Sequence, residues 1–401
     1  MLELLTKHEV WLDFREYKSS RGLMDKREAA ELSDFIDSRA YLDIATKIAA
    51  DEYSFSCPER KELNKLGSEK KRVVYTFSRE ENMILKLLAY LLYAYDYCLC
   101  DCCYAFRRNI GARRAFTDIA YNPQIAELWC FKADISNYFN SIDVALLEPL
   151  LCRIITDDEP LLKLLLSIIR DDRSLRDGEI IHECKGVMAG TPISPFLANI
   201  YLSEMDSCFM SKGVIYARYS DDIIIFDTEE KLRGHIDDYR GFISEYHLRS
   251  NPDKELIVEP GGTWSFLGFE FCDGSIDISR VTVQKLMGKI RRASRSLRRW
   301  MLKKNAEPER ALRAFNKKFN RKFYSPELGR ELCWARWFFP MINQTRSLHA
   351  IDLYMQECQR YLVTGKHNKA GYDAAPYEML VRCGYKPLVS EYYSGNFRSH
   401  R

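Results

Sequence analysis

The stretch from Val214 to Phe226 constrains the fold more tightly than any other part of the chain. Val214-Ile215-Tyr216-Ala217 and Ile223-Ile224-Ile225-Phe226 are β-branched and aromatic runs flanking Arg218-Tyr219-Ser220-Asp221-Asp222. Two such runs joined by a short polar link read as an antiparallel hairpin, with Asp221 and Asp222 at its tip. Adjacent carboxylates repel each other, so cations must neutralise them if both are to stay ionised. Hard oxygen ligands of this kind select Mg²⁺ or Mn²⁺.

An Asp-Asp pair by itself marks many exposed turns. A second acidic strand end, Phe131-Lys132-Ala133-Asp134-Ile135, changes its meaning. A two-metal phosphoryl-transfer site takes carboxylates from different strands and holds its ions roughly 3.5–4 Å apart. Asp134, Asp221 and Asp222 are the residues that would form it. If the Asp134 strand runs on to Phe139, Tyr138 and Phe139 face opposite sides of it. Between the two acidic ends lies a glycine loop, Gly186-Val187-Met188-Ala189-Gly190, opening onto a predicted helix. That helix is expected to start near Ser194, with Ser194 as cap and Pro195 in the first turn. Such a loop lets backbone approach a sugar or base closely.

Six boxes together resemble reverse transcriptases. In chain order they are Tyr104-Ala105-Phe106-Arg107, Asp134 with Tyr138-Phe139, the loop through Gly190 with Ser194-Pro195-Phe196-Leu197-Ala198-Asn199, Tyr219-Ser220-Asp221-Asp222, Leu248 to Lys254 with Asn251, and Phe266-Leu267-Gly268-Phe269. The chain departs from the family pattern at Ala105 (glycine in the family), Met188 (proline) and Ala189 (glutamine). The match resembles the bacterial enzymes of the group II intron and retron lineage. It is most similar to the unknown-group enzymes associated with phage defence and abortive infection.

The resemblance implies an α+β right-hand polymerase fold with fingers, an antiparallel-sheet palm and a helical thumb and C-terminal region. The expected divisions are 1–69 (N-terminal helical region), 70–130 (fingers), 131–275 (palm with a finger insertion) and 276–401 (thumb and C-terminal region). It implies that Asp134, Ile135, Asp221 and Asp222 hold two Mg²⁺ ions, or Mn²⁺. Lys254 would protonate or neutralise the departing pyrophosphate. Lys71, Arg72 or Arg79, in the basic approach Lys70-Lys71-Arg72 and the strand after it, would meet the incoming triphosphate. Phe139 would exclude a ribose 2′-OH, and Ala189 and Gly190 would border the nucleotide. Phe266, Leu267 and Gly268 would cradle the primer end, and Arg107 would touch phosphates. The implied partners are dNTPs, a DNA product and an RNA template, with a dedicated non-coding RNA as one form of that template. Untemplated or protein-primed DNA synthesis, as in abortive-infection relatives, and an idle nucleic-acid-binding scaffold are the alternatives.

Charge adds an independent signal. From Lys285 to Lys322 there are 15 Lys and Arg against Glu307 and Glu309, a local +13 in a chain of net charge +3. An apolar stripe of Leu286, Ile290, Ala293, Leu297 and Met301 runs through this segment, leaving Arg291, Arg292, Arg295 and Arg299 to face a polyanion. Glu80 to Cys103 reads as one long apolar helix ending in Cys98, Cys100, Cys102 and Cys103. Asp96 interrupts the best apolar run, so no membrane segment is expected. The charged first ten residues do not read as a signal peptide, and 13 cysteines without targeting point to reduced thiols in a cytoplasm. The oligomeric state stays open.

Overall fold

The computed structural model describes residues 1–64, 71–325, 333–366 and 370–397. Lys70 lies outside them. The chain divides into two compact units, Met1–Pro260 and Gly261–Arg401. The first contains eight strands among its described residues: β1 (Glu59–Asn64), β2 (Lys71–Thr76), β3 (Trp129–Asp134), β4 (Arg173–Arg176), β5 (Glu179–His182), β6 (Ile215–Tyr219), β7 (Asp222–Asp227) and β8 (Leu256–Val258). They form two sheets, ordered β2-β1-β4-β5 and β6-β7-β3-β8.

The second of these sheets is wholly antiparallel. Its central strand β7 carries Ile223, Ile224, Ile225 and Phe226, none more than 1% exposed. Such a continuous apolar run belongs to a strand covered on both faces. Helices Ser203–Ser211 and Glu229–Glu245 cover one face, where Phe209 stacks on Tyr216 at 4.7 Å and Tyr239 meets Phe131 edge-on at 5.5 Å. The α+β class and the antiparallel palm sheet are as expected.

Two local expectations are corrected. The N-terminal region is helical at His8–Ser20, Lys26–Asp37 and Leu42–Ala49, but it ends in β1, which pairs antiparallel with β2. The long cysteine-ended helix stops at Leu91, and a 3₁₀ turn follows at Leu92–Cys98. Cys100, Cys102 and Cys103 are not helical, because this backbone docks on the edge of β6. Tyr104 donates its N–H to the Arg218 carbonyl at 3.0 Å, and the Arg218 N–H goes to Cys102 at 2.9 Å. Those bonds satisfy groups that a helix would otherwise pair.

In the second unit, β9 (Trp264–Phe266), β10 (Phe269–Cys272) and β11 (Ser275–Ile278) form a small antiparallel sheet. Helices Arg280–Lys304, Pro308–Tyr324 and Arg346–Thr364 make up most of the rest. Among the described residues, no helix is long and apolar enough to cross a membrane.

Candidate active site

Strand register brings the acidic residues together. Asp134, the last residue of β3, lies directly opposite Asp222, the first of β7. Directly opposed residues share a face of the sheet, and this is the face away from the two covering helices. Tyr219 pairs with Asp222, so Ser220 and Asp221 form a two-residue turn. Ser220 adopts a left-handed φ of 62°. A non-glycine residue there costs of order 1–3 kcal/mol and persists only where its surroundings impose it.

Backbone bonds fix the three approaching segments. The Ile135 N–H donates to the Asp221 carbonyl at 3.1 Å, and the Asn251 N–H donates to the Asp134 carbonyl at 2.8 Å. The second bond carries the Asn251–Lys254 turn to the end of β3. There the Lys254 ammonium donates to Asp134 Oδ1. Asp134 is buried while Lys254 is half exposed.

Burial first, then the Asp222 and Asp134 carboxylates, push the Asp221 pKa above its ordinary value, against the pull of Lys254. This end of the sheet therefore holds more negative charge than one ammonium balances. Among the described residues, no three His, Cys, Asp or Glu side chains stand together as a ready-made metal cage. The donor chemistry nevertheless fits hard divalent cations: buried or half-buried carboxylates gathered from two strands and their turn, with Asp221 held from ionising first by burial and then by its acidic neighbours.

Arg218 is the main residue that the sequence did not disclose. It is fully buried beneath the turn, on the helix-covered face. Its Nε and Nη2 donate to the Asp206 carboxylate at 2.8 and 2.5 Å, and its Nη1 donates to the Ser220 carbonyl at 3.3 Å. Tyr216 adds a hydroxyl bond to Asp206 at 2.8 Å. The guanidinium thus grips the strained turn from below.

The side expected to meet a nucleotide is built differently from the expectation. The strand does not run on to Phe139. Asn137 takes a left-handed φ of 51°, and Tyr138–Ser141 forms one helical turn. The Ser136 N–H still bonds the Arg249 carbonyl at 2.8 Å in an antiparallel bridge of Ile135 with Ser250, and the backbone leaves the sheet at Asn137. The two rings therefore do not take opposite faces of a strand but pack edge-on at 5.7 Å. Tyr138 is buried and donates to the Ala198 carbonyl, while Phe139 is half-buried. Phe106, 39% exposed, packs edge-on against Phe139 at 6.1 Å and lies 6.3 Å from Tyr219.

Ser194 is not the helix cap. It is the first helical residue, and its hydroxyl turns back to the Val187 and Met188 carbonyls, closing the glycine loop. A Cβ at Gly190 would stand 3.2 Å from the Val74 side chain, so the loop lies against β2. Alternation along a strand places Arg72 on the Val74 face and Lys71 on the other. Lys71 pairs with Glu62 at 2.9 Å. Of the basic candidates, Arg72 is the one aimed along the loop's side of β2, whereas Arg79 opens the next helix. Arg107 donates to the carbonyls of Asp96, Cys100 and Cys103, which ties the guanidinium to its own loop.

A family model described as reverse transcriptase (RNA-dependent DNA polymerase) matches residues 64–271, more than half of the 401-residue chain. The chain belongs to the reverse transcriptase family. Among solved structures, this reverse transcriptase is similar to an apo telomerase from Candida tropicalis truncated from its C-terminal domain, at 15% identity and a TM-score of 0.43, covering 56% of this chain and 55% of that one. It is also similar to telomerase from Candida albicans in complex with a fragment of telomeric RNA, at 14% identity and 0.46, covering 88% and 65%. The chain thus spans between about half and two-thirds of the length of these proteins. No curated protein matches it.

The remaining expected residues lie in the second unit. Phe266 and Phe269 are fully buried, and Leu267 and Gly268 form the β9–β10 turn with left-handed φ of 51° and 92°. Only Leu267 and Gly268 are therefore presented at the tip. On helix Arg280–Lys304, Leu286, Ile290, Ala293 and Met301 are buried and Leu297 is half-buried, while Arg291, Arg292, Arg295 and Arg299 are all exposed. Arg298 instead turns inward to the Leu362 and Val363 carbonyls at 3.1 Å each.

Proposed function

We propose that this chain is an RNA-directed DNA polymerase that adds dNTPs to a 3′-OH by two-metal phosphoryl transfer. The observation that carries this reading is the register placing Asp134 opposite Asp222, with Asp221 on the adjoining turn. Asp134, Asp221, Asp222 and Ile135 would hold two Mg²⁺ or Mn²⁺ ions. Once bound, such ions polarise the attacking hydroxyl and offset charge on the triphosphate. The chain's own residues position the reactants. Phe139 closes the sugar side, the Ala189–Gly190 backbone borders the nucleotide, and Arg72 receives phosphate charge. Lys254, half exposed on Asp134, would deliver a proton to the leaving pyrophosphate. Leu267 and Gly268 would support the primer end.

The finer biological reading is a group II intron or retron-like enzyme of the unknown group, acting in antiphage defence on a non-coding RNA template in the cytoplasm. The Ala189-Gly190 form of the loop and the compact helical tail support it, as do the 13 cysteines, all free thiols.

The deciding experiment measures dNTP incorporation on a primed RNA template with Mg²⁺, for the native chain and for Asp134→Asn and Asp221→Asn. Each substitution removes a ligand charge while keeping the shape. Incorporation should fall by about a hundredfold to a thousandfold, a loss of the size seen when groups aimed at transition-state charge are removed. RNA affinity and melting temperature should stay close to native. Substantial synthesis by either variant overturns the site assignment, and an inactive native chain that still binds RNA favours the idle scaffold.

A further inference from the structure

Asn140 follows Phe139 in the one-turn helix, and the reading above gives it no role. Its side chain joins three segments. Oδ1 accepts the Ala189 N–H at 2.8 Å, and Nδ2 donates to the Val73 carbonyl at 3.0 Å. Beside it, the Tyr75 N–H donates to the Ala189 carbonyl at 2.8 Å, and the Val187 N–H donates to the Phe139 carbonyl at 2.9 Å.

The reason lies in sheet topology. Strand β2 is the edge of its sheet, so one side of it has no strand partner. Unpaired edge groups need partners from elsewhere. Tyr75 finds one in the Ala189 carbonyl, while Val73, two residues earlier, finds one in the Asn140 amide. The side-chain amide therefore acts as a surrogate peptide unit, accepting on one side and donating on the other. Among side chains of this length only asparagine offers both; an aspartate of the same shape offers acceptors alone.

A second constraint holds the same junction. A Cβ at Gly186 would stand 2.3 Å from the Phe139 carbonyl oxygen. The glycine loop is thus pressed against the backbone of the residue before Asn140, leaving the loop little freedom to move apart from the Phe139 ring.

We propose that Asn140 is a positioning residue that sets the depth of the sugar pocket. It holds the Ala189–Gly190 loop and the Arg72-bearing strand β2 at a fixed distance from Phe139. The inference rests on Phe139, Ala189–Gly190 and Arg72 bordering the nucleotide. A ring excludes a 2′-OH only if the opposite wall cannot retreat. Small displacements at a reacting centre are costly, so sugar choice and dNTP affinity both respond to this amide, which alone ties β2, the loop and the Phe139 turn together.

The test compares Asn140→Asp, Asn140→Leu and Phe139→Ala with the native chain, measuring kcat and KM for a dNTP and the matching rNTP, with melting temperature as a check on folding. Asn140→Asp retains the Ala189 bond and faces the Val73 carbonyl with no donor; Asn140→Leu loses both bonds. Loss of one or two such bonds should raise the dNTP KM about tenfold. It should also lower the dNTP-over-rNTP ratio of kcat/KM, while the dNTP kcat at saturation changes much less. A general weakening of the fold would instead lower kcat and melting temperature with the ratio intact, and that result overturns the proposal. So does an unchanged KM and ratio in both Asn140 variants, which leaves Phe139 standing if Phe139→Ala loses discrimination. If Phe139→Ala itself keeps discrimination, the reading of the gate falls, and the claim about sugar depth falls with it.

Discussion

At the scale of single residues, Arg218 separates folding from chemistry in a way that can be measured. Its charge is fully buried against Asp206, and one of its donors holds the Ser220 carbonyl at the strained turn. Removing one partner of a buried pair leaves the other charge uncompensated, at about 3–5 kcal/mol, whereas replacing both with apolar residues is often near neutral. Arg218→Met should therefore lower stability by about that amount. The double variant Arg218→Met/Asp206→Leu should regain most of it. Activity should not return, because no donor then holds Ser220 and the Asp221–Asp222 turn loses its register with Asp134. Denaturant midpoints and kcat for both variants check this; a double variant with native kcat would reduce the pair to a packing feature. No sequence pattern could have found it. An arginine within an apolar strand reads as solvent-facing, and its partner lies twelve residues earlier on a helix.

Among elements, the glycine loop shows what the sequence made legible and what it did not. The strands and turn bearing Asp134, Asp221 and Asp222 were readable because β-branched runs and a short polar link need only local information. The exposed arginine face of helix Arg280–Lys304 was readable for the same reason, since spacing alone sorts its apolar and basic positions. The turn after Asp134, the role of Ser194 and the segment from Cys98 to Cys103 were not. In each, the backbone or hydroxyl is claimed by a partner outside the segment: Val187 for Phe139, Val187 and Met188 for Ser194, Arg218 for Cys102. Local propensity cannot anticipate such bonds. The loop also makes a firm prediction at Gly186, which combines a φ of 54° with a Cβ position only 2.3 Å from the Phe139 oxygen. Gly186→Ala should cost at least about 2 kcal/mol from the left-handed conformation and the forced displacement together. It should also raise the dNTP KM, because the loop must lift from Phe139. Gly178→Ala is a suitable control: its φ is 91°, yet a Cβ there meets nothing within 4 Å, so backbone strain appears without the clash. Equal losses in stability and KM for the two variants would mean that the close approach at Gly186 contributes nothing.

Across the whole molecule, charge is partitioned between the two units. The carboxylates of the candidate active site belong to Met1–Pro260, and the +13 segment belongs to Gly261–Arg401, although the net charge is only +3. A stretch this basic in a nearly neutral chain makes a local electrostatic footprint rather than a general attraction. Arg291, Arg295 and Arg299 recur every four residues, with Arg292 beside them, so all four lie within one face opposite the buried Leu286–Ile290–Ala293 stripe. Each phosphate contact releases counterions and steepens the fall of affinity with salt by about 0.9 in log–log slope on duplex DNA. Replacing the four arginines with Ala should therefore flatten the slope for an RNA–DNA hybrid by up to about 0.9 per lost contact. Melting temperature should barely move, since all four side chains are exposed. Arg298→Ala is the discriminating control. Its guanidinium already serves the Leu362 and Val363 carbonyls, so this change should lower stability and leave the slope alone. If the quadruple variant keeps the native slope, the arginine face is solvated, and the polyanion must be held elsewhere on the chain.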